Sequence, residues 1–268
     1  MQKTFSIVTV AFNAEDLIED TMRSVFNQSF TDYEYIIIDG KSKDKTMSII
    51  EKYKDKIDIL ISEPDEGIYD AMNKGISLAS GRYVNFMNCG DFFADESVLE
   101  IVSRLIDNNP DIIYGNTIIN TIVGKYLVRP GKIDETIIKR MPFCHQSTFV
   151  KTELARLHPF DLTYKVAADY NMFLHLYKED KSFLYVDYPI AIYQNDGNSI
   201  DHQSYKRIIE AARVNQSFMT KIKAYIRWGG GYLRSILPDS FYKMYRRYKY
   251  SHNPHFELIN EIANCRQL

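Results

Sequence analysis

Four polar residues stand at a constant interval in the first third of the chain: Asn13, Asp39, Asp65 and Asp91, each 26 residues after the one before. Each follows a short apolar run, so each is placed to project from the end of a strand. Three carboxylates gathered on one rim repel one another unless a cation or a hydrogen-bonding ligand lies among them. The chemistry on offer is therefore the binding of a metal or of a polar ligand. Taken singly, each residue also has a plainer use. Asn13 can cap a helix, Asp39-Gly40 can make a turn, Asp65 can solvate a loop between Pro64 and Gly67, and Asp91 can cap a helix, although Asp95 is better placed for that. Two more candidates lie further on. His145 taken alone is structural as readily as catalytic, and Asp169 falls in the first turn of a helix, where the dipole favours any carboxylate.

Positioning these residues takes an alternation of strands and helices, and the sequence has one. Residues 5–12 are β-branched and apolar, and 14–26 carry Leu17, Ile18, Met22, Val25 and Phe26 at helical spacing with Asn13 as cap. The pattern repeats with a strand over 35–38 and a helix over about 44–53, then a strand over 57–61 and a helix over 68–79 closed by Gly81. A fourth strand, 83–87, runs out into the turn Asn88-Cys89-Gly90-Asp91. Such alternation predicts a mostly parallel, Rossmann-like α/β sheet flanked by helices, because parallel neighbours need crossover connections. Ligands of such sheets bind beyond the carboxyl ends of the strands.

The second half reads as a helix over 95–108, a strand over 111–116, a hairpin or bent strand over 117–128 around Gly124, an apolar run over 143–150, and a helix starting near 165. Beyond Ile200 the character changes. Asp201 can cap a long helix to about Trp228, Gly229-Gly230-Gly231 is a break, and the tail interleaves Arg234, Lys243, Arg246, Arg247 and Lys249 with aromatic residues. This divides the chain into a main α/β domain, 1–200, and a C-terminal helical extension, 201–268. Basic and aromatic residues together suit an anionic membrane surface, and equally a helix packed on protein.

Composition narrows the classes. The 268 residues are 45% hydrophobic and 25% charged, as in soluble globular proteins, and the net charge of -2 argues against a nucleic-acid partner. Cys89, Cys144 and Cys265 are odd in number and lack metal-ligand spacing, which predicts a reduced, cytoplasmic protein without disulfides. The first apolar run is too short for a signal peptide or a membrane span.

Several motifs in order carry a resemblance. Ile7-Val8-Thr9-Val10-Ala11-Phe12-Asn13, Ser24-Val25-Phe26-Asn27-Gln28, the run from Glu34 through Asp39-Gly40 to Thr46, and Met87-Asn88-Cys89-Gly90-Asp91 resemble the bacterial family 2 glycosyltransferases of GT-A fold. The segments Asp65-Glu66-Gly67-Ile68-Tyr69-Asp70-Ala71-Met72-Asn73-Lys74-Gly75-Ile76 and Cys144-His145-Gln146 are similar to a subgroup that builds exopolysaccharide, capsule or O-antigen units.

The resemblance implies an inverting transfer from a nucleotide-diphosphate sugar, UDP-linked in this reading, to a hydroxyl of a glycan or lipid-linked glycan acceptor. It places Thr9, Ala11, Asn13, Asp39, Asp65, Lys74 and Asn88 around the donor nucleotide, with Asp39 accepting from the base. His145 and Gln146 fall on the acceptor side, Asp91 becomes the ligand of Mn²⁺ or Mg²⁺, and Asp169 the catalytic base. The 195–199 loop would close over the donor. This chain departs from the pattern at Asn88 and Gly90, where relatives carry Asp, at Met72, where many carry Arg and Lys74 would supply the charge, and at Ala168, where the acid before the base is missing. A glycoside hydrolase using Asp91 and Asp169 and a non-catalytic sugar-nucleotide-binding or scaffold protein stay open beside it.

Overall fold

Strand β1, Phe5–Ala11, is buried at every position, as a strand must be when a parallel sheet is covered on both faces. In the computed structural model, which describes residues 2–130, 133–138, 140–195, 210, 214, 239–253 and 255–259, it pairs in parallel with β2, Tyr33–Asp39, on one side and β4, Tyr83–Phe86, on the other. β3, Ile59–Ser62, extends the parallel set beyond β2. Alternate side chains enter two cores. Val8, Ile36, Ile38, Val84 and Phe86 pack with α3, Ile68–Leu78, and α6, Ala168–Lys178. Ile7, Tyr35, Ile37 and Tyr83 pack on the other face with α1, Ile18–Phe26, and α4, Val98–Ser103. Gly75 lets α3 approach β1 closely, since a Cβ there would collide with Val8.

From β4 onward the sheet is mixed. β8, Thr148–Lys151, runs antiparallel to β4 and to the start of β6, Ile112–Thr121. The end of β6 makes a hairpin with β7, Gly124–Val128, and its other edge pairs in parallel with β9, Phe183–Asn195. The short β5, Phe92–Phe93, leans on β9. The tail contributes α7, Asp239–Ser251, and β10, Phe256–Ile259, which pairs with β7, so the extension returns to the sheet as a strand as well as a helix. The full order is β10-β7-β6-β8-β4-β1-β2-β3. The expected segments 196–200, 201–209, 211–213 and 215–238, which include most of the 195–199 loop, nearly all of the helix ending at Trp228, and the glycine break, lie outside the described residues.

Three helices are shorter than the apolar spacing suggests, for local reasons. α1 begins only at Ile18: Asn13 is left-handed at φ 48°, and the Ala14 carbonyl accepts from Leu17 and Ile18 in a preceding turn. Asn13 is therefore not the cap. The second helix divides into α2, Thr46–Ile50, and a 3-10 turn, Glu51–Lys56, with Tyr53 out of helical geometry. Asp95 accepts from Ser97 N–H in a tight turn that delays α4 to Val98. α5, Thr152–Leu157, and β9 were not expected from the sequence.

Candidate active site

The order β3-β2-β1-β4 puts four carboxyl-terminal strand ends side by side, with β1 flanked by a strand that follows it and one from further along the chain. That is the topological switch point at which open α/β sheets bind ligands. Asp65, Asn13 and Asp91 follow those ends and Asp39 forms the end of β2, so the four share the rim expected from the sequence, in an order set by the topology. Asp65 and Gly40 touch closely enough that a Cβ on Gly40 would collide with the Asp65 carboxylate.

Not every residue assigned to the donor faces the rim. Thr9 is fully buried: its hydroxyl donates to Met87 O over 2.7 Å and meets Tyr35 OH at 2.9 Å, so it ties β1 to the chain leaving β4. Asp39 is fully buried too, its carboxylate taken by the Ser42 hydroxyl and N–H and by the Ser62 hydroxyl. It organises the loop after β2, and Oδ1, with one bond against two on Oδ2, keeps an acceptor position. Ala11 is buried at the end of β1, where its carbonyl accepts from Gly40 N–H. Exposed Asn13 accepts from Lys43 N–H over 2.9 Å and donates its own N–H to Ser42 Oγ. Asp65 accepts from Gly67 N–H just before α3. Lys74 is not a spare cation for a phosphate. Its ammonium lies 2.8 Å from Glu63 and 3.5 Å from Asp70 and donates to Pro64 O. The place it was to serve is filled by Met72, fully buried below Asn88.

The remaining candidates come together at one place. β4 ends in the 88–91 turn, closed by Asp91 N–H donating to Asn88 O over 2.9 Å. Gly90 within it has φ 95°, a conformation L side chains rarely adopt, which accounts for glycine at that position. Facing the turn is a 3-10 turn, His145–Ser147, pinned by fully buried Asn85, whose amide donates to Gln146 O and Thr148 O, both at 2.9 Å. Its first two side chains diverge. His145 Nδ1 lies 3.2 Å from Asp169 Oδ2, and its Nε2 lies 3.2 Å from Asn88 Nδ2. Gln146 donates to Asp91 Oδ2 over 2.9 Å. Asp169 sits in the first turn of α6, as expected, with Oδ1 accepting from Tyr170 N–H at 2.8 Å and Tyr69 OH at 3.2 Å. The side chains of His145 and Asp169 are 16% and 18% exposed, so both are partly open to solvent.

Asp91 is only 6% exposed, and burial pushes its carboxyl up to about 6, against the pull of the Gln146 bond, His145 and the Gln194 N–H. Among the described residues no group of three or more His, Cys, Asp or Glu side chains could hold a metal by itself. Asp91 does fit a shared site. Each of its oxygens accepts one protein hydrogen bond, from Gln146 and from Gln194 N–H at 3.3 Å, and a carboxylate has about four acceptor positions. Mg²⁺ and similar ions bind through one or two carboxylates with substrate phosphates and water making up the set.

Tyr69 and the Gln194 N–H were absent from the candidate residues. Tyr69 stands in the first turn of α3, immediately after Gly67-Ile68, and its phenol was legible only as part of an apolar helix face. Gln194 lies in β9, and a backbone N–H leaves no mark in a sequence.

The profile of glycosyl transferase family 2 matches residues 6–154. Among curated proteins, the chain is 26% identical over 222 residues to a PGL/p-HBAD biosynthesis glycosyltransferase of Mycobacterium bovis, covering 78% of this chain and 86% of that one. It is 28% identical over 209 residues to the Escherichia coli UDP-Glc:alpha-D-GlcNAc-diphosphoundecaprenol beta-1,3-glucosyltransferase WfgD, covering 76% and 81%. Among solved structures, it resembles Staphylococcus aureus TarS 1–349 in complex with UDP-GlcNAc, with TM-score 0.62, 18% identity and 79% of this chain covered. It also resembles the mannosyltransferase PcManGT of Pyrobaculum calidifontis in complex with GDP-Man and Mn²⁺, with TM-score 0.62, 16% identity and 80% covered. The chain spans just under two thirds of both structures, 66% and 63%, and at these identities the likeness speaks for the GT-A fold alone. With more than half of its length matched by the profile, the chain belongs to glycosyl transferase family 2.

Proposed function

We propose that this glycosyltransferase is an inverting hexosyltransferase that moves a sugar from a UDP-linked donor to a hydroxyl of a lipid-linked glycan during cell-surface polysaccharide assembly. The observation that carries the reading is the single chain of contacts from the 88–91 turn, at the switch point, through His145 to Asp169. A donor-side turn and a partly exposed carboxylate share one site. In this reading Asp169 takes the proton of the acceptor hydroxyl as that oxygen bonds to the anomeric carbon, and the bond to the diphosphate breaks on the opposite face, which inverts the centre. Ala11, Asn13, Asp65 and Asn88 border the nucleotide, while Asp39 shapes the loop beside it. A divalent ion, Mn²⁺ or Mg²⁺, held by Asp91 together with the donor diphosphate would supply charge neutralisation for the leaving group. The name of WfgD supports UDP as carrier and an acceptor on a lipid diphosphate.

A lipid-linked acceptor would bring the protein to the cytoplasmic face of a membrane. No helix among the described residues is long and apolar enough to cross one, but α7 has features of a surface contact. Met244, Tyr245 and Tyr248 are 61%, 57% and 62% exposed beside the exposed cations Lys243 and Arg247, while Tyr250 packs inward on Tyr126 and Phe256. Apolar side chains flanked by cations suit an anionic interface. Calorimetric titration with UDP, GDP and dTDP, each with and without Mn²⁺, tests the donor assignment. Selective UDP binding supports it, and binding of none of them contradicts it.

A further inference from the structure

We infer that His145 is a positioning residue, a neutral imidazole locked in its Nδ1–H tautomer by the side-chain amide of Asn88, and that it orients the Asp169 carboxylate rather than contacting the acceptor. This deepens the transferase reading above and rests on it.

The two ring nitrogens of His145 have different partners. Asn88 presents its Nδ2 to His145 Nε2 at 3.2 Å. An amide NH₂ has donors and no acceptor, so Nε2 must accept. The ring proton then belongs on Nδ1, which points at Asp169 Oδ2 at 3.2 Å. The reversed tautomer would set donor against donor at one end and acceptor against acceptor at the other. Both nitrogens are engaged by protein, which leaves neither for an acceptor sugar.

The surroundings hold this arrangement still. Asn88 is buried and its Nδ2 lies 3.9 Å from the sulfur of Met72, itself fully buried, so the lock is shielded from water. The imidazole is carried on the turn that Asn85 pins to β4, and Ser147 Oγ is 2.7 Å from Thr117 Oγ1 on β6. One more observation bears on the proton state. Asn88 Oδ1 is buried without a hydrogen-bond partner among the described residues. Turning the amide over would satisfy it only with a proton on Nε2, which either makes His145 a cation, if Nδ1–H stays toward Asp169, or sets a bare Nδ1 against the carboxylate. An imidazolium beside Asp169 would hold that carboxylate as an ion pair and weaken it as a base. The neutral ring instead fixes the direction of the carboxylate and leaves it able to take a proton. The unsatisfied Asn88 oxygen is the cost of that state.

Two measurements on the full chain test this, and the first needs no turnover. Long-range ¹H–¹⁵N correlation spectra of the histidine side chains, with the His145 signals identified by their loss in His145→Ala, read the tautomer directly. The expected result near neutral pH is a protonated Nδ1 and an unprotonated Nε2, with the pattern lost in Asn88→Ala. A wild-type Nε2–H tautomer, or a doubly protonated ring, overturns the inference. The second compares His145→Asn, whose amide nitrogen stands where Nδ1 stood, with His145→Gln, whose amide nitrogen stands nearer the place of Nε2. At saturating donor, kcat should fall about 10–100-fold in His145→Gln and be substantially recovered in His145→Asn, with the acceptor KM little changed in both. Equal losses in the two variants, or a raised acceptor KM at constant kcat, overturn it. Failure of the wild type to bind any nucleotide counts against the transferase reading, whereas the tautomer alone judges the network.

Discussion

Asp169 Oδ2 lies 3.2 Å from His145 Nδ1, and the very next residue after His145 holds Asp91. Two carboxylates from distant parts of the chain are thus set by consecutive side chains of one short turn. The spacing between the two carboxylates is set through this turn, so disturbing the turn should disturb both.

Tyr69 gives the most conservative probe of Asp169 as the proposed base. Its hydroxyl donates to Asp169 Oδ1 at 3.2 Å from a largely buried ring. Tyr69→Phe removes this hydrogen bond and no packing, so the expected stability cost of losing it is about 0.5–1.5 kcal/mol. Turnover should fall several-fold with the nucleotide affinity unchanged, as read by steady-state kinetics beside calorimetry.

Asp91 makes a pH-dependent prediction. Its carboxyl is raised by burial to about 6 from an ordinary 3.8, so between those values the folded protein binds more protons than the unfolded chain. The sign follows: this group favours the fold below about pH 4, and its contribution is lost as pH rises through 6. A shift of this size corresponds to at most roughly 3 kcal/mol. Denaturant unfolding of the wild type and of Asp91→Asn at pH 4.5 and 7.5 should show the wild type losing stability relative to the variant at the higher pH. UDP with Mn²⁺ should offset that loss in the wild type and not in Asp91→Asn. Equal pH dependence in the two proteins would contradict this account of Asp91.

The exposed face of α7 can be tested without touching the site. Replacing Met244, Tyr245 and Tyr248 with Ser should leave thermal stability nearly unchanged, because none of the three is buried. Co-sedimentation with vesicles containing anionic phospholipid should fall about tenfold or more, while UDP affinity holds. Retained sedimentation would assign the face to something other than a membrane.

Much of this was legible in the sequence, and the limits have physical causes. The fully buried runs of β1, β2 and β4 announce a parallel sheet because both faces are covered, and the interval from Asn13 to Asp91 marks the shared rim. Asp169 was readable as a carboxylate on the first turn of a helix. What a sequence hides is which way a polar side chain turns. Asp39 gives no sign in the sequence that its carboxylate folds back on Ser42 and Ser62, and Lys74 looks free until Glu63 and Asp70 are seen around it. The antiparallel half was harder because β6 is shared among β7, β8 and β9, pairings between distant segments that leave no local period.

The central claim is that Asp169 is the base of a UDP-sugar transfer. The most direct measurement is acceptor-dependent UDP release from a panel of UDP-sugars, with a lipid-diphosphate-linked sugar as acceptor, by the wild type and by Asp169→Asn. The account predicts release by the wild type that falls about 10²–10⁴-fold in the variant, while calorimetry shows the same UDP affinity in both. Turnover by Asp169→Asn at the wild-type rate would contradict it.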